Sequence, residues 1–140
     1  MQLSEFQAEA KRLSNFAHLA TVGTDGAPAV VPIWPAWHDG KVWISTHQAS
    51  VKVRNLRANP KAALHWQVDE SGDAAMLWGD ATVHDDERTR RGMWTGVFDY
   101  DLDDFTGGVD DPNTCFIAVE PRRAVTLKAY GQGGREAWTR

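Results

Sequence analysis

The chain has 140 residues, of which 42% are hydrophobic and 24% are charged, and its formal net charge is -4. This composition is that of an ordinary globular domain and excludes the disordered class, which combines low hydrophobicity with high net charge. The negative charge argues against a general nucleic-acid binder, because such proteins need a basic surface to displace counterions from phosphates.

The first third of the chain carries the pattern of one helix and three strands. Apolar residues at helical spacing from Leu3 to Leu13 predict an amphipathic helix over residues 3–15, with Ser4 as its N-cap. Three apolar runs rich in β-forming residues follow, separated by Asp-Gly turns: residues 18–22, 28–37 and 42–46. Such runs joined by tight turns are typical of a β-meander.

The remaining two thirds predict two more helices and four more strands. The helices are expected at residues 50–59, ended by Pro60, and from Asp85 or Asp86 to about Trp94. The strands are expected at residues 61–68, 74–84, 114–119 and 123–128, with an acidic, glycine-containing loop at 95–113. The sum is one mainly β domain over residues 1–140, with six or seven mostly antiparallel strands and short helices. A closed or partly closed barrel is favoured because it removes exposed strand edges.

The segment from Val42 to Pro60 carries the clearest chemical signal. A strand delivers the chain to a polar turn, and the helix that begins at Ser50 has Lys52 and Arg54 near its start. Free amides and the positive end of the helix dipole attract phosphate, Ser50 can add a hydroxyl donor, and Arg54 can form a bidentate pair. The same residues also fit a helix cap followed by solvent-facing cations, so the residues alone leave both interpretations open.

Several motifs, in this order along the chain, resemble those of one known family. They are Phe16 to Val22 with Asp25-Gly26 and Pro28, Val31 to Trp34, Ser50-x-Lys52 with Leu56-x-x-Asn59-Pro60, and Leu77 to Ala81. Together they resemble the pyridoxamine 5'-phosphate oxidase-like superfamily of flavin-binding split β-barrels, over about residues 3–128. The acidic turn from Gly107 to Pro112 is similar to the bacterial general-stress flavin-binding branch of that superfamily.

The resemblance implies a homodimer of split barrels that holds one FMN in each of two clefts between the subunits. The implied cofactor contacts are Pro32, Ile33 and Trp34 along the isoalloxazine ring, Ser45 and Thr46 at its polar edge, and Ser50, Val51, Lys52 and Arg54 at the phosphate. Trp78 is a further expected neighbour of the cofactor, because flat aromatic rings suit a cleft that holds a planar ligand. The flavin would exchange hydride with a small organic substrate, while the protein positions and shields it.

The resemblance leaves other cofactors and functions open. The tail from Lys128 to Arg135 shows no counterpart of the basic substrate contacts of the oxidases proper, so neither a substrate nor a catalytic residue is assigned. A deazaflavin coenzyme in the same cleft is one alternative. A non-catalytic flavin- or haem-binding module for stress protection is another, since a fold hosts more than one function.

Metal binding and a membrane location are not expected. The five histidines lack metal-ligand spacing, although His47 lies between the strand end and the predicted phosphate helix. The acidic run that begins at Asp99 lacks the glycine and glutamate of a calcium loop. Cys115 is the one cysteine, and no run of about 18 apolar residues occurs. The sequence therefore predicts a cytoplasmic location, and the family resemblance implies a second copy and a small molecule as partners.

Overall fold

The structure, a computed structural model, describes all 140 residues. Its elements in chain order are α1 (Leu3–Leu13), β1 (Ala17–Val22), β2 (Pro28–Ile33), β3 (Ala36–His38), β4 (Lys41–His47), α2 (Val51–Ala58), β5 (Lys61–Trp66), β6 (Ala74–His84), α3 (Glu87–Met93), β7 (Thr114–Lys128) and β8 (Gly134–Thr139). Two short 3-10 helices lie at Leu102–Asp104 and Ala129–Gly131. None of the helices has the length and apolar character needed to cross a membrane.

All eight strands join one antiparallel sheet. The strand order is β2-β1-β5-β6-β7-β4-β3, and β8 pairs with β7. The main core is a cluster of 19 buried residues with side chains from β1, β2, β4, β5, β6 and β7 as well as from α1 and α2. A second cluster of 5 buried residues, Trp43, Met93, Leu102, Phe116 and Ala118, packs where α3 and the segment 95–113 meet β4 and β7. The predicted fold class, mainly β with short helices, is confirmed, with eight strands in place of six or seven.

Helix α1 packs its apolar side on this core. Phe6 is fully buried, and its ring meets Trp66 edge-on with the ring centroids 5.7 Å apart. The helix begins after Gln2, whose backbone amide donates to the Glu5 carboxylate at 2.5 Å. The prediction that Ser4 is the N-cap is therefore wrong, because Ser4 lies inside the first turn.

The last two predicted strands form one continuous strand, β7. The expected break at residues 120–122 is a β-bulge: Gly79 pairs with Pro121 and Trp78 pairs with Arg123, so Arg122 has no partner on β6. Proline has no amide hydrogen to donate to a neighbouring strand, so within a sheet it is accommodated at a bulge such as the one at Pro121, where the ladder is already interrupted. The long strand lets β7 pair with β4 along its first half and with β8 along its second.

Two other strand predictions differ from the structure. The apolar run at 28–37 divides into β2, which pairs with β1, and β3, which pairs with β4, and Trp34 and Pro35 between them belong to neither ladder. Strand β8 forms at Gly134–Thr139, beyond the last strand that the sequence predicted. Its side chains are nearly all exposed, so pairing with β7, and not an alternation of apolar residues, makes it a strand.

Candidate functional site

A cleft of about 780 Å³ opens beside β4, where that strand leads into α2. Its 17 lining residues come from the end of β2 and the residue after it, from β4, from the turn after β4 and the start of α2, from the segment 95–113 and from the first residue of β7, with Phe16 before β1. The volume falls within the range of small-molecule and cofactor sites, about 300–1,000 Å³. Because β4 and the start of α2 line it, the cleft lies beside the segment that the sequence predicted to bind phosphate.

Six of the ten predicted site residues line this cleft. They are Pro32, Ile33, Trp34, Ser45, Thr46 and Lys52. Pro32 and Ile33 end β2, Trp34 follows it directly, and Ser45 and Thr46 are neighbours in β4. Because β2 and β4 are far apart in the strand order, it is the curl of the sheet that brings them to one site.

The start of α2 is fixed by local hydrogen bonds and by one buried amide. Ser50 Oγ accepts from the Val53 amide at 3.4 Å and from the Thr46 hydroxyl at 3.2 Å, which caps the helix and ties it to β4. In the core, Asn55 Nδ2 donates to Thr21 Oγ1 at 3.0 Å and holds α2 against β1. The amino end of α2, with its free amides and partial positive charge, is therefore held beside the cleft.

Lys52 is the cation that enters the cleft. Its side chain is half-buried and forms no ion pair with a carboxylate. Burial lowers the pKa of Lys52 below its usual range. A partly desolvated ammonium group without a counter-ion is stabilised by a bound anion, so Lys52 points to a ligand with negative charge.

The other four predicted site residues do not line the cleft. Ser50 serves as the cap of α2, and Val51 and Arg54 are exposed on that helix. Trp78 lies on β6 beside a separate shallow depression, with the Arg123 guanidinium 4.8 Å from the centre of its ring. Within one chain, the structure does not bring Trp78 to the predicted cofactor site.

Four aromatic side chains, termed the aromatic wall, line the cleft together: Phe16, Trp34, Tyr100 and Phe105. The ring centroids lie 5.3 Å apart for Phe16 and Trp34, 4.6 Å for Trp34 and Tyr100, and 5.1 Å for Tyr100 and Phe105. A continuous row of rings offers apolar area to a planar ligand. Of these four residues, only Trp34 was predicted from the sequence as a cofactor contact.

Tyr100 connects the acidic segment 95–113 to β4. Its hydroxyl lies 2.8 Å from Ser45 Oγ, and burial raises the pKa of Tyr100, so the phenol stays protonated at neutral pH. Phe98 stacks on the buried Phe116 of β7, with the ring centroids 5.8 Å apart. The segment was predicted as a loop, and aromatic residues spaced among its aspartates were the signal that it packs on the sheet.

Replacing Tyr100 with phenylalanine is expected to lower the free energy of unfolding by about 1 kcal/mol, because the ring packing stays while the hydrogen bond to Ser45 is lost. Urea denaturation measures the difference. The same replacement at Tyr130, which is 74% exposed, is the matched control and should leave stability unchanged. Equal stability of the Tyr100 variant and the unmodified protein would show that this bond does not help to hold the segment.

The turn between β4 and α2 is tied to the other end of the same segment. The Gln48 amide donates to the Asn113 carbonyl at 2.9 Å, and Gln48 Nε2 donates to the Pro112 carbonyl at 3.1 Å. His47 and Asn113 line the cleft nearby. Along β4 the cleft thus runs from the aromatic wall, through neighbouring hydroxyl groups, to the amino end of α2.

The sequence matches the family described as pyridoxamine 5'-phosphate oxidase over residues 3–128. No curated protein matches it. The family match covers all of the elements that form the cleft and most of the sheet.

Solved structures share this fold at low sequence identity. A Clostridium acetobutylicum protein related to general stress protein 26 of Bacillus subtilis is 21% identical, with a TM-score of 0.79 over 99% of this chain and 96% of that chain. An FMN-binding, pyridoxamine 5'-phosphate oxidase-related protein from Nostoc punctiforme is 17% identical, with a TM-score of 0.69 over 99% and 94%. An F420 reductase is 24% identical, with a TM-score of 0.56 over 78% and 87%. The likeness confirms the split-barrel fold.

Proposed function

Because the chain belongs to the pyridoxamine 5'-phosphate oxidase family, we propose that it is an FMN-dependent oxidoreductase that transfers hydride to or from a small organic molecule. The observation that carries this proposal is Lys52, a half-buried cation without a counter-ion, beside the amino end of α2. FMN combines a phosphate with a planar ring system, and the cleft offers a matching surface for each.

The groups that line the cleft would match the parts of FMN from its phosphate to its ring system. Lys52 and the free amides of α2 would hold the phosphate, and the exposed Arg54, which forms no ion pair, is available to the same group. Ser45 and Thr46 would offer hydroxyl groups to the polar edge of the ring system. The aromatic wall, with Pro32 and Ile33, would cover its apolar area.

The bound flavin would supply hydride exchange, which is chemistry that no side chain of the cleft provides. The chain would bind and orient the cofactor and keep water from its ring through the aromatic wall. Tyr100 would hold the Ser45 hydroxyl in place as a neutral, protonated partner. No side chain is assigned the role of a proton donor or acceptor toward the substrate.

A homodimer in the cytoplasm is part of the proposal. The family resemblance implies that each cofactor lies between two subunits, and the open cleft of one chain agrees with a site that a second copy completes. Trp78 would then approach the cofactor only from the partner subunit. Cys115 is buried in the barrel, so it plays no part in joining the copies.

A deazaflavin-dependent reductase is the second candidate, favoured by the likeness of the fold to that of an F420 reductase. Lys52 and the aromatic wall would serve a deazaflavin with a phosphate-bearing side chain in the same way. Competition between FMN and such a coenzyme for the cleft separates the two candidates, because the physiological cofactor binds more tightly.

Titration with FMN and absorption spectroscopy test the proposal. We expect FMN to bind and shift its visible absorption bands, and the bound flavin to be bleached by a nicotinamide donor and reoxidised by an acceptor through many turnovers. Bound flavin that no donor reduces would favour a non-catalytic binding module. A sharp Soret band in the purified protein, or the absence of FMN binding, would contradict the proposal.

A further inference from the structure

The net negative charge of the chain lies beside the cleft. Residues 95–113 contain six aspartates and no lysine, arginine or glutamate, so this segment has a formal charge of -6. The whole chain has a formal charge of -4, which leaves +2 for the remaining residues. One of the six carboxylates forms an ion pair, between Asp110 and Arg91. The other five have no cationic partner.

These charges border one part of the cleft, termed its mouth, which is lined by Tyr100, Phe105 and Asp111. Aspartates stand on both sides of Tyr100 and directly before Phe105 in the chain. Adjacent Cα atoms are about 3.8 Å apart, well inside the screening length of about 10 Å at an ionic strength of about 0.1 M. The mouth therefore has a negative potential that favours a cationic ligand over an anionic one.

Asp111 brings one of these carboxylates into the cleft itself. It is the one acidic residue of the lining, is half-buried, and forms no ion pair with Lys52, the one lysine or arginine there. Asp111 Oδ1 accepts from the Asn113 amide at 2.9 Å, whereas Oδ2 accepts no hydrogen bond from the protein. A Cβ atom at Gly107 would overlap Oδ2, so the glycine leaves room for the carboxylate. Asp111 Oδ2 is therefore free to accept from a positively charged group of a ligand.

Phe105 supplies an aromatic surface at the same place. Its ring meets Tyr100 edge-on, with the centroids 5.1 Å apart, and 67% of the residue is exposed. The segment is nevertheless held in place there, because Leu102 is buried in the second core cluster. The face of an aromatic ring attracts organic cations, and carboxylates beside the ring add to that attraction.

We propose that the hydride acceptor of this protein is a planar organic cation, such as an N-substituted pyridinium or a phenothiazinium ring, which binds at the mouth of the cleft on Phe105 with its positive charge toward Asp111. The inference rests on the proposed function, because the hydride comes from the reduced flavin. Lys52 and Asp111 then divide the cleft by charge, with the anionic cofactor at one end and the cationic substrate at the other.

A cationic acceptor also suits a cleft without an assigned proton donor. The planar cation accepts one hydrogen and two electrons as hydride, so a C–H or N–H bond forms on its ring while the N5–H bond of the reduced flavin breaks. The acceptor becomes neutral and the flavin returns to its oxidised form, and no further proton is needed. The neutral product has lost its attraction to Asp111, which favours its release.

Equilibrium dialysis with two three-ring dyes of opposite charge tests the inference. The dyes are methylene blue, a cation, and resorufin, an anion at neutral pH, and each is equilibrated with the FMN-loaded protein at low and at high salt. We expect methylene blue to bind at least about tenfold more tightly than resorufin at low salt, and the difference to shrink at high salt because the charges are screened.

Two variants locate the bound cation. Asp111→Asn keeps an oxygen for the Asn113 amide but removes the charge, and should weaken methylene blue binding about tenfold. Phe105→Leu alters an exposed ring and should weaken it about two- to fivefold. The matched control is Glu136→Gln, which removes one unpaired, exposed charge on β8, opposite Thr126 and remote from the cleft. It should bind both dyes as the unmodified chain does.

Anaerobic reaction of the reduced, FMN-loaded protein with methylene blue tests the hydride step. We expect the dye to be bleached, and Asp111→Asn to raise the dye concentration for half-maximal rate about tenfold. Equal binding of the two dyes, an Asp111→Asn variant that binds methylene blue normally, or a bound dye that is not bleached would overturn the inference.

The outcomes also separate this inference from the proposed function. A protein that binds FMN and turns over with a nicotinamide donor but does not prefer the cationic dye would refute the inference alone. A chain that binds methylene blue through Asp111 but binds no FMN would refute the proposed function and the hydride step with it, and would leave a cation site without a redox role.

Discussion

Replacing Lys52 with alanine is expected to weaken FMN binding about 10- to 100-fold and to leave riboflavin binding nearly unchanged. The range follows from about 1.5–3 kcal/mol for a hydrogen bond to a charged group, with about 1.4 kcal/mol for each factor of ten. The two ligands differ only in the phosphate, so the ratio of their dissociation constants isolates that group. Isothermal titration calorimetry measures both constants.

The structure separates the contributions of the two cations on α2. Lys52 lines the cleft and is half-buried, whereas Arg54 is exposed and outside the lining. Arg54→Ala should therefore reduce FMN affinity less than Lys52→Ala does, since exposed charges are screened by solvent. For the same reason, the loss of FMN affinity in the double variant should be only modestly larger than that of Lys52→Ala alone. Lys11→Ala, on the exposed side of α1, is the matched control for net charge. Equal losses for FMN and riboflavin would refute the phosphate assignment.

Gly79→Ala is expected to lower the free energy of unfolding by about 1–3 kcal/mol or more. A Cβ atom at Gly79 would overlap the Glu120 carbonyl oxygen and would lie 2.8 Å from Val119 Cγ1. Both neighbours belong to β7 at the bulge, and a backbone carbonyl in a paired strand cannot move aside as a flexible side chain can. Urea denaturation at neutral pH measures the loss.

Gly92→Ala is the matched control for this prediction. Gly92 lies within α3, and a Cβ atom there meets nothing within 4 Å. The replacement should be neutral or should stabilise the protein by up to about 1 kcal/mol, because alanine has the higher helix propensity. Similar stabilities for the two alanine variants would show that the bulge adjusts freely around Gly79.

The elements that the sequence predicted well are those with strong local signals. The apolar spacing of α1, the Asp-Gly turns and the Ser50 cap act over a few residues, and the structure has each of these elements close to its predicted bounds. The start of α2 was predicted as a candidate anion site because the groups involved also lie within a few residues of one another. Its hydroxyl, free amides and Lys52 are neighbours in the chain.

The parts that the sequence did not reveal depend on contacts between distant segments. Tyr100 reaches Ser45 across 55 positions of the chain, and the pattern of residues 95–113 gave no partner for it. Trp78 was predicted to lie beside the cofactor because a flat aromatic ring suits a cleft for a planar ligand, but the register of β6 sets its side chain on the outer face of the sheet, away from the cleft of its own chain. Strand β8 owes its form to an available edge of β7, which no local pattern can indicate.

A crystal structure of the protein grown with FMN tests the central claim most directly. We predict that the phosphate lies within hydrogen-bonding distance of Lys52 Nζ and of the first amides of α2, and that the ring lies against Trp34 and its aromatic neighbours. A flavin bound at any other surface, or one in the cleft with its phosphate remote from Lys52, would contradict the account.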